Sequence, residues 1–231
     1  MALFNATPGA AKSLRALACL LGYPDAELRS HLDELRAALH ADRALSAPRL
    51  AELDALIDAL QRGEGLALEG SYVELFDRGR STSLHLFEHV HGDSRERGPA
   101  MIDLAQTYEK AGLYLAEGEL PDYLPAVLEF ASTQPPREAR AFIGEIAHIL
   151  NALLAALQQR QSAYAAIPNA LLELAGEKPQ PVQITPDEPL DADWEEPVVF
   201  DGCSTKGQAR PDQPQPIHIV RKGPTQPGAS A

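Results

Sequence analysis

The stretch from Phe76 to Arg97, FDRGRSTSLHLFEHVHGDSRER, concentrates histidine, carboxylate and arginine. Within it, His85-Leu-Phe-Glu88-His89 has the H-x-x-E-H spacing of inverted zinc proteases, in which two histidines one helical turn apart hold the metal and the glutamate activates water. Catalytic zinc takes three protein ligands, and His91, two positions on, faces elsewhere if the helix continues. The competing reading is a polar network. In that reading His85, Glu88 and His89 pair with Arg78, Arg80, Arg95 or Arg97, because polar groups withdrawn from water need partners. Asp77-Arg-Gly-Arg80 lacks both the Walker and the G-x-G-x-x-G spacing. Ser81 and Ser83 lie near His85, but proximity in sequence does not make a nucleophile and base. No residue is assigned a catalytic role, and the chain is read as a binding protein, not an enzyme.

A second cluster is Glu119-Leu-Pro-Asp-Tyr-Leu-Pro-Ala-Val-Leu-Glu-Phe130. If Asp122 caps a helix, Pro125 falls in the first turn, where its missing N–H is harmless, and Glu129 returns to the side of Asp122 two turns later. The two carboxylates and Tyr123 then line one groove. Alternatively, Asp122 only caps and Glu129 is solvated, and spacing alone does not choose between them.

The elements that must position these clusters are helices. Leu28, Leu32, Leu35 and Leu39 share a face at 3/4 spacing, as do Leu50, Leu53, Ile57 and Leu60. Pro24-Asp25 opens the first segment, Ser46-Ala-Pro48 the second, and Gly63 and Gly65 punctuate. Further faces are Met101, Leu104, Ala105, Tyr108 and Leu115; Phe142, Ile146, Ile149, Leu150, Leu153 and Leu157; and Tyr164, Ile167, Leu171 and Leu174. With no alternating strand pattern of useful length before residue 176, the reading is an all-α, single-domain helical bundle. It covers residues 1–177. Ten of the 19 prolines fall in residues 178–231, which predicts a Pro-rich, acidic, largely flexible C-terminal tail. That tail is expected to dock in part around 193–200, where Trp194 sits beside Val198, Val199 and Phe200.

The net charge is −13, and after the tail's eight acidic and five basic residues are set aside the body carries −10. That argues against nucleic acid as a partner, which needs clustered cations, and favours a basic one. Two cysteines, Cys19 and Cys203, make no disulfide framework, and the longest apolar run, Ile146 to Leu157, is too short to span a bilayer. The expectation is a cytoplasmic protein with no direct membrane insertion and no cofactor of its own.

The two clusters together resemble the signature of the NarJ-type, delta-subunit assembly chaperones of membrane-bound nitrate reductase, within the redox-enzyme maturation chaperones. The likeness runs from LACLLGYPD through YVELFDRGRSTSLHLFEHVHGDSRERG and ELPDYLPAVLEF to DADWEEPVVF. It implies a chaperone that binds the N-terminal segment of the catalytic (alpha) subunit. Such a chaperone holds the apo alpha–beta complex for molybdenum cofactor and iron–sulfur insertion. The wider family's L-P-D-x-L-x-x-x-L-E-F pattern, associated with leader-peptide binding, falls on Leu120, Pro121, Asp122, Leu124, Leu128, Glu129 and Phe130, with Tyr123 where many relatives carry histidine. By that resemblance the peptide-binding residues are Tyr72, Phe76, Asp77, Arg78, His85, His89, Asp122, Tyr123, Leu124 and Glu129. The competing functions are a zinc hydrolase built on H-x-x-E-H and a direct carrier of the molybdenum cofactor.

Overall fold

The first helix, α1 (Ala11–Leu20), buries Leu14, Leu17, Ala18 and Leu20, so most of its circumference is apolar contact. A helix this enclosed still leaves its first N–H groups without partners. Ala10, at the cap position, offers no side-chain acceptor, and the carboxylate comes instead from Asp42. The backbone N–H and the hydroxyl of buried Ser13 both donate to Asp42 Oδ2 at 2.9 Å. Asp42 ends α3 (Leu32–Asp42), which packs on α1 and fixes the geometry of that cap.

The computed structural model describes residues 9–92 and 94–182, and among them finds helices without a named strand. Between α1 and α3 lies α2 (Ala26–Ser30), capped as expected by Asp25, which accepts from the Leu28 N–H at 2.8 Å. The face expected to be continuous from Leu28 to Leu39 is broken at His31. There the Ser30 hydroxyl takes the Glu27 carbonyl and the backbone turns to φ −101°, ψ 2°. Next come α4 (Ala47–Arg62) and α5 (Gly65–Phe76). Ser46 caps α4 by position only: its N–H and hydroxyl donate to Glu173, at 2.6 and 2.9 Å.

The remaining helices are α6 (Leu86–Val90), α7 (Arg97–Lys110), α8 (Leu124–Thr133), α9 (Pro136–Glu145), α10 (Ala147–Gln159) and α11 (Ala166–Ala175), with 3₁₀ turns at Arg80–Thr82 and Ala163–Ala165. Three expected faces are trimmed. Leu115 lies beyond α7, Tyr164 sits in the second 3₁₀ turn, and the Phe142–Leu157 face splits at Ile146, where α9 and α10 meet at 63°. The core forms where α8 packs on α1 and α9, and α11 on α4, α9 and α10. Leu17, Leu124, Leu128, Leu150 and Leu171 are wholly inaccessible there.

Among the described residues no single helix is long and apolar enough to cross a membrane, and the bent α9–α10 pair passes only by length and composition. After α11 the chain runs along α10, where the Gln180 N–H donates to Asn151 Oδ1 at 2.7 Å. The expected docking segment Trp194–Phe200 lies outside the described residues.

Candidate functional site

The two clusters meet. His85 and Tyr123 form an isolated antiparallel bridge: Leu86 N–H donates to the Asp122 carbonyl at 2.9 Å and Leu124 N–H to the Leu84 carbonyl at 2.8 Å. Leu86 is the first residue of α6 and Leu124 the first of α8. Each chain therefore supplies the acceptor for an orphan N–H at the other's helix start, where neither His85 nor Tyr123 gives a side-chain cap. Pro125, next in α8, has no N–H to satisfy.

Asp122 completes the arrangement. Its side chain is wholly buried; Oδ2 accepts from the Phe87 N–H at 3.1 Å, and Oδ1 lies 3.4 Å from His85 Nδ1. It does not cap its own helix, as local spacing suggests, but the first turn of α6, because the bridge turns the carboxylate toward that end. Arg97, at the start of α7, lies 4.0 Å from Asp122 Oδ2 and 3.6 Å from Glu88 Oε1. The hydrogen bond and charge of Asp122 raise the His85 pKa, against the opposing effect of burial.

This geometry decides between the readings of H-x-x-E-H. His85 precedes α6 with extended backbone, so the two histidines do not occupy successive turns of one helix. His89 donates its Nε2–H to the Ser83 carbonyl at 2.8 Å, while the His85 Nδ1 faces Asp122. Among the described residues no group of three His, Cys, Asp or Glu could hold an ion. The polar network is there in part as expected: Glu88 pairs with Arg97, but the two histidines take Asp122 and the Ser83 carbonyl instead of an arginine, and Arg78 pairs with Glu74 at 2.9 Å.

Beneath the bridge lies an aromatic group. Tyr72 and Phe76 of α5 are buried with ring centroids 4.8 Å apart, and Tyr164 stands 5.1 Å from Phe76. The Tyr72 hydroxyl donates to the Leu21 carbonyl at 2.6 Å, and burial, with Tyr123 close by, pushes its pKa far above the usual phenol range. The His85 ring rests 5.4 Å from that of Tyr123. The structure thus brings Tyr72, Phe76, His85, Asp122, Tyr123 and Leu124 into one body. His85, His89 and Tyr123 are half-buried, Asp77 and Arg78 are exposed nearby, and Leu124 is inaccessible.

Glu129 departs from the expected groove. It is exposed and lines a cavity of about 370 Å³ with residues of α1, α7 and α8, whereas Asp122 is buried against α6. Three residues of the site are given no site role by the sequence, although Tyr108 falls on a helical face and Thr82 within the first cluster. Arg160 donates to the Leu75 carbonyl at 3.2 Å and to Thr82 Oγ1 at 2.8 Å, tying the Asp77–Thr82 loop to the end of α10. The Thr82 hydroxyl also donates to the Leu75 carbonyl. The buried Tyr108 hydroxyl donates to the Pro121 carbonyl at 2.8 Å. Their sequence signal is slight, since each acts on a backbone carbonyl, which no side-chain pattern marks.

A family model, nitrate reductase delta subunit, matches residues 24–167, a span that holds both clusters. The chain is 47% identical over 156 residues to the nitrate reductase molybdenum cofactor assembly chaperone NarJ of Escherichia coli K12, and the match covers 68% of this chain and 66% of that relative. It is 39% identical over 193 residues to NarW of the same strain, covering 79% and 80%. In three dimensions it is similar to a crystal structure from Archaeoglobus fulgidus assigned to the redox enzyme maturation proteins. That likeness has a TM-score of 0.52 at 20% identity over 77% of this chain and all of that one, and is one of fold. The chain belongs to the nitrate reductase delta subunit family.

Proposed function

We propose that this chain is an assembly chaperone for a respiratory nitrate reductase. It binds the N-terminal segment of the catalytic subunit in the cytoplasm and holds the apo alpha–beta complex while molybdenum cofactor and iron–sulfur centres are inserted. On this reading the cofactors are cargo of the client, and the chaperone makes or breaks no covalent bond itself. The observation that carries it is the joining of the two clusters through the His85–Tyr123 bridge over a buried carboxylate. A junction in which the chain commits a buried charge, an imidazole and a stacked phenol at a surface serves recognition better than packing alone. His85, His89, Tyr123, Asp77, Arg78 and Glu129 are the residues offered to the client, with Tyr72, Phe76, Asp122 and Leu124 supporting them from below. The acidic body complements a basic amphipathic segment, the helix-in-groove mode of peptide recognition.

The test is copurification. The tagged chain is expressed with the full catalytic subunit and with a version lacking its N-terminal segment. Recovery of the full client and loss of the truncated one is the expected result; equal recovery of both would sink the assignment of that segment.

A further inference from the structure

One helix beside the junction is held unlike its neighbours. Of the residues in α7, Tyr108 is the one that is buried, whereas α1 buries six and α8 seven. Met101, Leu104 and Ala105, which share the Tyr108 face by helical period, are half-buried, and Ile102 is 59% exposed. The fastenings of α7 lie near its two ends, and both reach the Pro121–Asp122 dipeptide. Arg97 reaches the buried Asp122 carboxylate and the partly exposed Glu88 at 4.0 and 3.6 Å, separations too long for a hydrogen bond in either case. Tyr108 donates to the Pro121 carbonyl and lays its ring 4.7 Å from Phe130. Gly92 and Gly112 flank the helix at φ +50° and +80° in open space, where a backbone without Cβ turns freely.

The cavity of about 370 Å³ lies between α1, α8, Tyr108 near the C-terminal end of α7, and the loop of residues 113–119 that follows this helix. Tyr108, Leu115 and Phe130 give it apolar walls, and exposed Glu119 and Glu129 stand at its rim. Its lining cation, Arg15, donates its Nε–H to Ser132 at 3.1 Å. Such a site suits an apolar side chain with a lysine or arginine beside it: the walls take the first and the carboxylates the second.

We propose that α7 is a flap over this cavity, latched by Arg97 and pinned by Tyr108, and that its opening admits an apolar, cation-flanked stretch of the client's N-terminal segment. The identity of the occupant rests on the function proposed above; the flap does not.

Hydrogen exchange of the full chain tests both parts, free and with a synthetic peptide of the client's N-terminal segment. In the free protein, α7 amides should exchange about tenfold or more faster than those of α1 and α8, as expected for an element with few buried contacts. Tyr108→Phe, which removes the pin without changing charge, should speed α7 exchange further. The peptide should slow exchange in α7 and slow alkylation of Cys19, which lines the cavity, in a Cys203→Ser background. Paired Glu119→Gln and Glu129→Gln substitutions should weaken peptide binding about tenfold, roughly 1.4 kcal/mol, while leaving free-state exchange of α7 unchanged. Slow α7 exchange in the free protein overturns the flap, and peptide binding that alters neither α7 nor Cys19 overturns the cavity as its seat. Fast α7 exchange with no peptide binding at all supports the flap and overturns the client reading.

Discussion

Asp122 divides its two oxygens between different tasks: one accepts the Phe87 N–H that opens α6, and the other faces His85. Asp122→Ala leaves the part-buried Phe87 N–H without its acceptor and is expected to lower unfolding free energy by about 1 to 2 kcal/mol, seen as a shifted urea midpoint. Asp122→Asn keeps an acceptor but removes the charge, and separates capping from electrostatics. Because Asp122 raises the folded-state pKa of His85 above its unfolded value, the stability from that pair is complete below about pH 6.5. It is lost as pH rises through the folded value. Melting temperatures taken on both sides of this window should fall with rising pH in the wild type, with that component absent in Asp122→Asn; equal pH profiles would remove the coupling. The importance of Asp122 was legible in the sequence, but its task was not. Asp followed by Tyr-Leu-Pro reads as a local cap, and nothing in that spacing says the capped helix lies upstream.

At the scale of elements, helix starts are served from a distance: Asp42 serves α1, Asp122 serves α6, and Glu173 serves the residue that opens α4. An acceptor borrowed across the fold ties two helices together as well as satisfying one end, so its loss should be felt in both. Asp42→Ala is expected to cost about 1 to 2 kcal/mol, since both the N–H and hydroxyl of buried Ser13 lose their partner. Faster amide exchange should follow in the first turn of α1 and the last of α3; loosening confined to α3 would refute the tie. The existence of most helices was legible because apolar residues recur at 3/4 spacing along them. The breaks at His31 and Ile146 were not, since that spacing continues through them and the bend is set by what each half packs against. Thr82 and Arg160 escaped notice for the same reason: their partner is the Leu75 carbonyl, which no side-chain pattern advertises.

Over the whole molecule, the acidity sits mainly in the body, at −10 of the total −13. Affinity for a basic client peptide should therefore weaken as salt rises, because exposed charges are screened over about 8 Å at physiological ionic strength. Titrations at rising salt check this, and a salt-independent affinity would place recognition in apolar contacts alone. The body's C-terminal limit yields a second expectation. Composition places the boundary at residue 177, but Pro179, Gln180, Pro181 and Val182 lie along α10 beside Leu154 and Gln158, and the Gln180 N–H meets Asn151, whose amide also holds the Ala147 carbonyl. A chain ending after Val182 keeps that bond; one ending after Glu177 loses it. Asn151 is 6% exposed with the segment in place, and removing the segment admits water to its oxygen, so the cost should be near the net worth of one hydrogen bond, about 1 kcal/mol. The two truncations should therefore differ by that amount in urea unfolding at equal slope. Identical midpoints would show that the segment contributes no stability, and a large deficit already present in the longer one would mean that residues after 182 hold part of the fold.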